Sequence, residues 1–186
     1  PFSFSGEHYT ITELDGLPKP LQQPHPAIFI GSGGRRLLSF AANEADIVGI
    51  TLRARREGGT ETREATKEKL SEKVGWVKDA AGERFGDLEL NILLFKTIVT
   101  DNPEAAAEQI AGMPLSATER YRKDAKRSAA LTPELILASP HFQLGSVQQI
   151  VENLQALREQ YGVSNFGIYP EDVETFSPVV EQLAGR

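Results

Sequence analysis

Ala27-Ile-Phe-Ile-Gly-Ser-Gly-Gly-Arg-Arg-Leu-Leu-Ser-Phe-Ala-Ala-Asn-Glu-Ala-Asp-Ile-Val-Gly-Ile50 decides the fold. Ala27-Ile-Phe-Ile30 is wholly apolar, as a short strand buried on both faces in a parallel sheet would be. Gly31-Ser-Gly-Gly34 ends the run. From Arg35 to Ala45 the apolar residues Leu37, Leu38, Phe40, Ala41, Ala42 and Ala45 form a helical stripe. Asp46-Ile-Val-Gly-Ile50 then returns to a short apolar strand. Strand, helix, strand is the unit from which parallel sheets are built.

Downstream, the pattern repeats. Arg53 to Gly59 is a charged, glycine-containing loop, and Thr60 to Ala81 reads as a charged helix with Leu70, Val74 and Val77 as a sparse stripe. Leu88 to Val99 is an unusually long third strand, alternating at Leu88, Leu90, Ile92 and Leu94. Asp101-Asn-Pro-Glu104 combines a capping side chain, an early proline and an acid, which predicts a helix start, with helical segments continuing to about Ala130. Thr132-Pro-Glu134 is another start. Ser146 caps a helix to Tyr161 with Val147, Ile150, Val151, Leu154 and Leu157 on one face, and Gly162 ends it. Val163 to Tyr169 is a fourth strand and Pro170 to Leu183 a last helix. Four such units make either a small open sheet or half of an eight-stranded barrel, a whole barrel needing roughly 250 residues. Upstream, Phe2 to Ile11 reads as a hairpin turning at Ser5-Gly6, and Leu17 to Pro26, with four prolines, as an extended connector. The expected organisation is one domain over 1–186, with hairpin and connector in 1–26 and the four β/α units in 27–186.

Composition narrows the function. The chain has 186 residues, a formal net charge of −6 and no cysteine. Disulfides, thiolate catalysis and cysteine-ligated zinc are excluded. Mixed charge with an acidic balance argues against a nucleic-acid binder, and no apolar run approaches the roughly 20 residues of a membrane span. A cytoplasmic protein is expected. The first residues, Pro-Phe-Ser-Phe, include no methionine and do not form a signal peptide. The expectation is a chain that starts after processing or within a longer gene product.

The segment Pro24-His-Pro-Ala-Ile-Phe-Ile-Gly-Ser-Gly-Gly34, with Leu38 to Gly49 behind it, resembles the P-H-P-x-L-I-G-G-G-G … L-x-L-A-A-x-x-A-D-I-V-G stretch of luciferase-like flavin and deazaflavin oxidoreductases. Within that superfamily it is most similar to members that use the deazaflavin coenzyme F420. Ala81-Gly-Glu-Arg-Phe-Gly-Asp-Leu-Glu-Leu-Asn91, Leu131-Thr-Pro-Glu134, Ser139-Pro-His141, Gly145-Ser-Val-Gln-Gln-Ile150 and Phe176-Ser-Pro-Val-Val-Glu-Gln-Leu-Ala-Gly185 fit the same group in the same order. The resemblance implies a (β/α)8 barrel of which this chain is the C-terminal half. It implies F420 as cofactor, FMN as the alternative, hydride transfer to or from an organic substrate, and a parent enzyme whose catalytic residues lie largely on strands without a counterpart here. No catalytic residue is carried over.

Among individual residues, Gly31, Ser32, Gly33 and Gly34 lie between a strand and a helix N-terminus, where unpartnered amides and the helix dipole suit an anion. Spacing alone favours a tight, ligand-free strand-to-helix turn. The resemblance implies that this loop binds the cofactor's phosphate side, with Ser32 in place of a common glycine and Arg35 as an added cation. Asp46 reads as a turn acid at a strand's start. Barrel chemistry lies at the C-terminal ends of strands, so Thr51, Arg53, Thr100 and Glu171 are further polar candidates, with plain loop surface as the alternative. His8, His25 and His141 are scattered and give no metal-site spacing, so no metal is expected. Trp76 reads as packing, and Arg120 to Arg127 as a solvated basic face.

A half barrel leaves open edges and an inner face, which would favour a homodimer or higher assembly burying Ile28, Ile30, Val48, Leu90, Ile92 and Phe166. A non-catalytic half barrel stabilised by self-association is therefore the rival reading. A third is an independent phosphate-binding open sheet, which needs a strand-order switch to make its crevice.

Overall fold

The computed structural model describes residues 1–56, 59–111 and 131–184. Its centre is a parallel sheet of β3 (Phe29–Ser32), β4 (Ile47–Ile50), β5 (Glu89–Leu93) and β8 (Val163–Gly167), in that order. Chain order and spatial order coincide, as they do around a barrel wall. The sheet has no order switch, so the crevice of an open doubly wound sheet is absent from it.

The long third strand is divided. Its first part is β5. After Leu94 donates its amide to the Gly167 carbonyl at 2.8 Å, the chain changes partner, and Phe95 donates to the His141 carbonyl at 2.7 Å. It continues as β6 (Lys96–Val99), parallel to β7 (Phe142–Gly145). This second ribbon was not foreseen from the sequence, since β7 is short and pairs with a strand far away along the chain. The N-terminal hairpin is β1 (Phe2–Ser5) and β2 (Thr10–Leu14), the second strand running three residues beyond the expected Ile11.

Helices α1 (Arg35–Glu44), α2 (Lys67–Ala81), α3 (Pro103–Ile110), α4 (Pro133–Ala138), α5 (Val147–Tyr161) and α6 (Val173–Leu183) follow the expected boundaries closely at four of their starts. Thr66, Asn102, Thr132 and Ser146 each accept a hydrogen bond from the amide three residues on. At Ser146 the bond is reciprocated, because its own amide donates to Gln149 Oε1 at 2.8 Å, completing a capping box. Gly162 ends α5 at φ +74°, in the left-handed region that glycine tolerates. Two boundaries differ. Residues before Lys67 make only a single 3-10 turn, Thr62–Glu64, because Thr66 takes the cap. The last helix opens with a 3-10 turn at Pro170–Asp172. The expected helical run beyond Ala111 and the basic segment Arg120 to Arg127 fall outside the described residues.

The register corrects the assignment of faces. Ile30, Val48 and Leu90 are aligned across the sheet, as are Ile50, Ile92 and Phe166. Val48, Ile50, Leu90 and Ile92 are fully buried in one cluster with Leu38, Val77, Ile150, Leu154 and Phe176 from the helices, and Ile30 and Phe166 pack against it. These residues therefore face the helices. The inward-face set expected from sequence, Ile28, Ile30, Val48, Leu90, Ile92 and Phe166, had the wrong parity. Alternation along a strand gives the opposite face to Phe29, Gly31, Ile47, Gly49, Glu89, Asn91 and Asn165. Phe29 is 52% exposed there. Its ring lies over Gly49, where a Cβ would sit 2.8 Å from Cζ. Asn91 donates to Asn165 Oδ1 at 2.9 Å and Asn165 to Glu89 Oε2 at 3.2 Å. This face is polar and glycine-rich around one aromatic ring. A smaller cluster, including Leu52, Phe95, Ala107, Ile110, Ile136 and Phe142, fills the space between the β6–β7 ribbon and helices α3 and α4.

Candidate functional site

The glycine segment stands at the C-terminal end of β3. The strand reaches Ser32, two residues past the expected Ile30, so Gly31 and Ser32 are strand residues paired with Gly49 and Ile50. Gly31 serves sheet packing, and the turn itself is Gly33-Gly34. Neither glycine has positive φ; what they supply is space. A Cβ on Gly33 would lie 2.5 Å from the backbone carbon and oxygen of Leu52 and 2.6 Å from the Arg53 nitrogen. Gly33 thus lets the β3–α1 turn rest on the loop that leaves β4. Thr51 donates its amide to the Ser32 carbonyl at 3.0 Å, tying the two strand ends together.

Gly34 is the N-cap of α1, extended at φ −108° and ψ 143°, with nothing within 4 Å of the place a Cβ would take. Its amide donates to Ser32 Oγ at 3.1 Å, which leaves the Ser32 hydroxyl hydrogen free to donate elsewhere. No side chain caps α1, no acid lies in its first turn, and Arg35 and Arg36 occupy it, both exposed. Cations at this end oppose the helix dipole. The arrangement of open amides, a hydroxyl and two guanidinium groups suits an anion.

Behind the turn lies a buried ion pair that the sequence did not flag. Lys73 on α2 is 2% exposed. Its Nζ donates to Glu64 Oε2 at 2.8 Å and to the Thr51 carbonyl at 2.7 Å. Glu64 Oε2 also accepts the Arg53 amide at 3.0 Å, and the Arg53 guanidinium stands 3.6 Å from Oε1. Burial pushes the Glu64 carboxyl upward, but the hydrogen bond from Lys73, the Arg53 amide and both positive charges outweigh it and hold it below the usual range. Burial likewise draws the Lys73 ammonium down, against the pull of Glu64. A signal was available: Lys73 lies on the Leu70 and Val77 stripe of α2, the three being its buried residues.

His141, one of the three scattered histidines, is also buried. Its Nδ1 lies 2.9 Å from the Leu93 carbonyl, to which it donates, and its ring packs against Phe95 at 5.2 Å. Burial, opposed by the Leu93 hydrogen bond and reinforced by the Lys73 charge, pushes it down to about 4. The imidazole is neutral at pH 7.

The remaining candidates separate. Thr51 and Arg53 belong to the loop under Gly33. Thr100 accepts the Asn102 amide at 3.1 Å and donates its own to Gly145, serving the end of the ribbon. Glu171 lies exposed on the Pro170–Asp172 turn. Its neighbour Asp172 is buried, pairs with Lys96 and accepts the Thr97 amide at 3.0 Å. Asp46 accepts the Ile28 amide at 2.7 Å, aligning the starts of β3 and β4. Trp76 is half-buried against the main core. Among the described residues, no group of three or more His, Asp or Glu side chains could hold a metal ion, and no helix is long and apolar enough to cross a membrane. An apolar cleft of about 310 Å³ between α5, β8 and α6, lined by Leu154, Phe166, Phe176 and Val180, lies on the helix side, away from the glycine turn.

Comparison with known proteins shows the family and the fold. A profile of the family described as luciferase-like monooxygenase matches residues 1–165. An FMNH(2)-dependent dimethylsulfone monooxygenase from Pseudomonas putida is 27% identical over 209 aligned positions, which cover 98% of this chain and 54% of that one. Among solved structures, an F420-dependent secondary alcohol dehydrogenase in complex with an F420-acetone adduct superposes with a TM-score of 0.64 at 14% identity, covering 98% of this chain and 54% of that one. An EDTA monooxygenase from Chelativorans sp. BNC1 gives 0.62 at 16% identity, covering 98% and 50%. These likenesses show the fold, a part of a (β/α)8 barrel. The chain spans about half the length of the relatives it matches.

Proposed function

Because the chain belongs to the luciferase-like monooxygenase family, we propose that it is part of an oxidoreductase dependent on coenzyme F420, or alternatively on FMN, with the phosphate held at the end of the Gly31-Ser32-Gly33-Gly34 segment, by Ser32, Gly33 and Gly34, and by Arg35. The observation that carries this reading is the start of α1: uncapped, open at Gly34, cationic and without a carboxylate. A phosphate there would accept from the first-turn amides and the Ser32 hydroxyl, and Arg35 would balance its charge. The bound cofactor supplies hydride transfer to or from a small organic substrate. This chain's residues position the phosphate end.

The test is Gly34→Asp. Aspartate is a strong N-cap residue, and Gly34 has both the extended backbone and the space for it. Its carboxylate would occupy the anion's place. The expected outcome is a raised melting temperature with loss of FMN or F420 binding by calorimetry. Cofactor affinity equal to wild type in this variant would refute the reading.

A second reading has its own observation. Among the described residues, β3 and β8 are each paired along one side only, and Phe29 is exposed on the open face. Edges of this kind favour association with another copy. Light scattering that finds only monomer at high concentration would remove this reading.

A further inference from the structure

We infer that Lys73 and Glu64 are positioning residues for the anion turn, acting through the loop that leaves β4. This rests on the phosphate reading of Ser32-Gly33-Gly34 and adds residues that touch no ligand.

The pair's hydrogen bonds go to two backbone groups, and the choice of groups is informative. Lys73 Nζ holds the Thr51 carbonyl at 2.7 Å, and Glu64 Oε2 holds the Arg53 amide at 3.0 Å. Between those two grips lies Leu52, whose backbone carbon and oxygen set the floor beneath Gly33. Thr51 in turn donates to the Ser32 carbonyl at 3.0 Å. A continuous path of short contacts therefore runs from the ion pair to Ser32 and to Gly33. Stability alone is a weak reason for such a pair, because well-packed apolar residues commonly replace a buried ion pair without loss. Fixing backbone geometry next to a ligand is a role apolar residues could not take over, since they would leave the Thr51 carbonyl and the Arg53 amide without partners. Misplacement of a binding group by a fraction of an ångström to about 1 Å weakens binding steeply.

The experiment uses the whole chain, labelled with nitrogen-15, in wild-type form and as Lys73→Met, Glu64→Gln and the double variant Lys73→Met/Glu64→Met. Inorganic phosphate, FMN and riboflavin are titrated separately, and the amide signals of Gly33 and Gly34 are followed, with thermal melting recorded alongside. Wild type is expected to respond to phosphate and FMN and not to riboflavin. The single variants are expected to lose about tenfold in apparent phosphate and FMN affinity. The double variant leaves no unpaired buried charge and is expected to be more stable than either single variant, without regaining that affinity, and it carries the test where a single variant does not fold. Folded variants that keep wild-type phosphate affinity, or a double variant that recovers affinity together with stability, overturn the positioning role alone. A wild-type turn that responds to riboflavin as it does to FMN, or to none of the three, overturns the phosphate reading and this inference with it.

Discussion

Acid should weaken this fold through one residue at a pH where most carboxylates are still ionised. His141 is buried as the neutral imidazole, hydrogen-bonded to the Leu93 carbonyl and packed on Phe95, with its pKa pushed from the ordinary 6.5 down to about 4. A depressed value means that the unfolded chain binds the proton more readily. Stability is therefore complete above pH 6.5 and is lost as the pH falls toward 4. Between about pH 7.5 and about pH 5 the linkage integral amounts to about 2 kcal/mol, out of about 3 kcal/mol for the whole window. Glu64, held below its ordinary 4.5, contributes stability that is lost only at still lower pH, so the two effects separate. Urea unfolding followed by circular dichroism at the two pH values measures the difference. His141→Gln keeps an amide donor for Leu93, does not titrate, and should remove most of the loss. A wild-type difference below about 0.5 kcal/mol, or an equal loss in His141→Gln, would refute the argument.

Two further outcomes follow from local geometry. Gly33→Ala places a Cβ 2.5 Å from the Leu52 backbone, so the turn must shift, and a loss of about 1–3 kcal/mol is expected, whereas Gly34→Ala meets open space and should change the urea midpoint far less. Ser146→Ala removes the capping box of α5 and should cost about 1 kcal/mol, visible as a lower melting temperature with an unchanged denaturant slope.

What the sequence revealed was mostly local. The starts of α3 through α5 were marked by a capping side chain, and the end of α5 by Gly162. These signals need no knowledge of distant chain, although at α2 the run from Thr60 obscured the cap at Thr66. The face of the sheet was misread because Ala27 to Ile30 and Ile47 to Ile50 are too uniformly apolar to alternate, and only the pairing of Ile30, Val48 and Leu90 with one another decides which side meets the helices. Strand β7 was missed because its partner Lys96–Val99 is far away in sequence. The glycine turn was legible as a candidate. Its support was not, since Lys73 within a charged helix resembles solvated surface until Glu64 and the Thr51 carbonyl are seen beside it.

The divided strand has a consequence for how the protein comes apart. Residues Glu89–Leu93 belong to the sheet over the main core, and Lys96–Val99 to the ribbon over the smaller one. Leu94 and Phe95 are the splice between them, both buried, one in each cluster. Neither half of this rod can leave its neighbours without dragging the other. The two clusters should behave as one mechanical body, and amide exchange at Ile92 and at Ile98 should proceed through a common opening event, with the same free energy and the same response to denaturant.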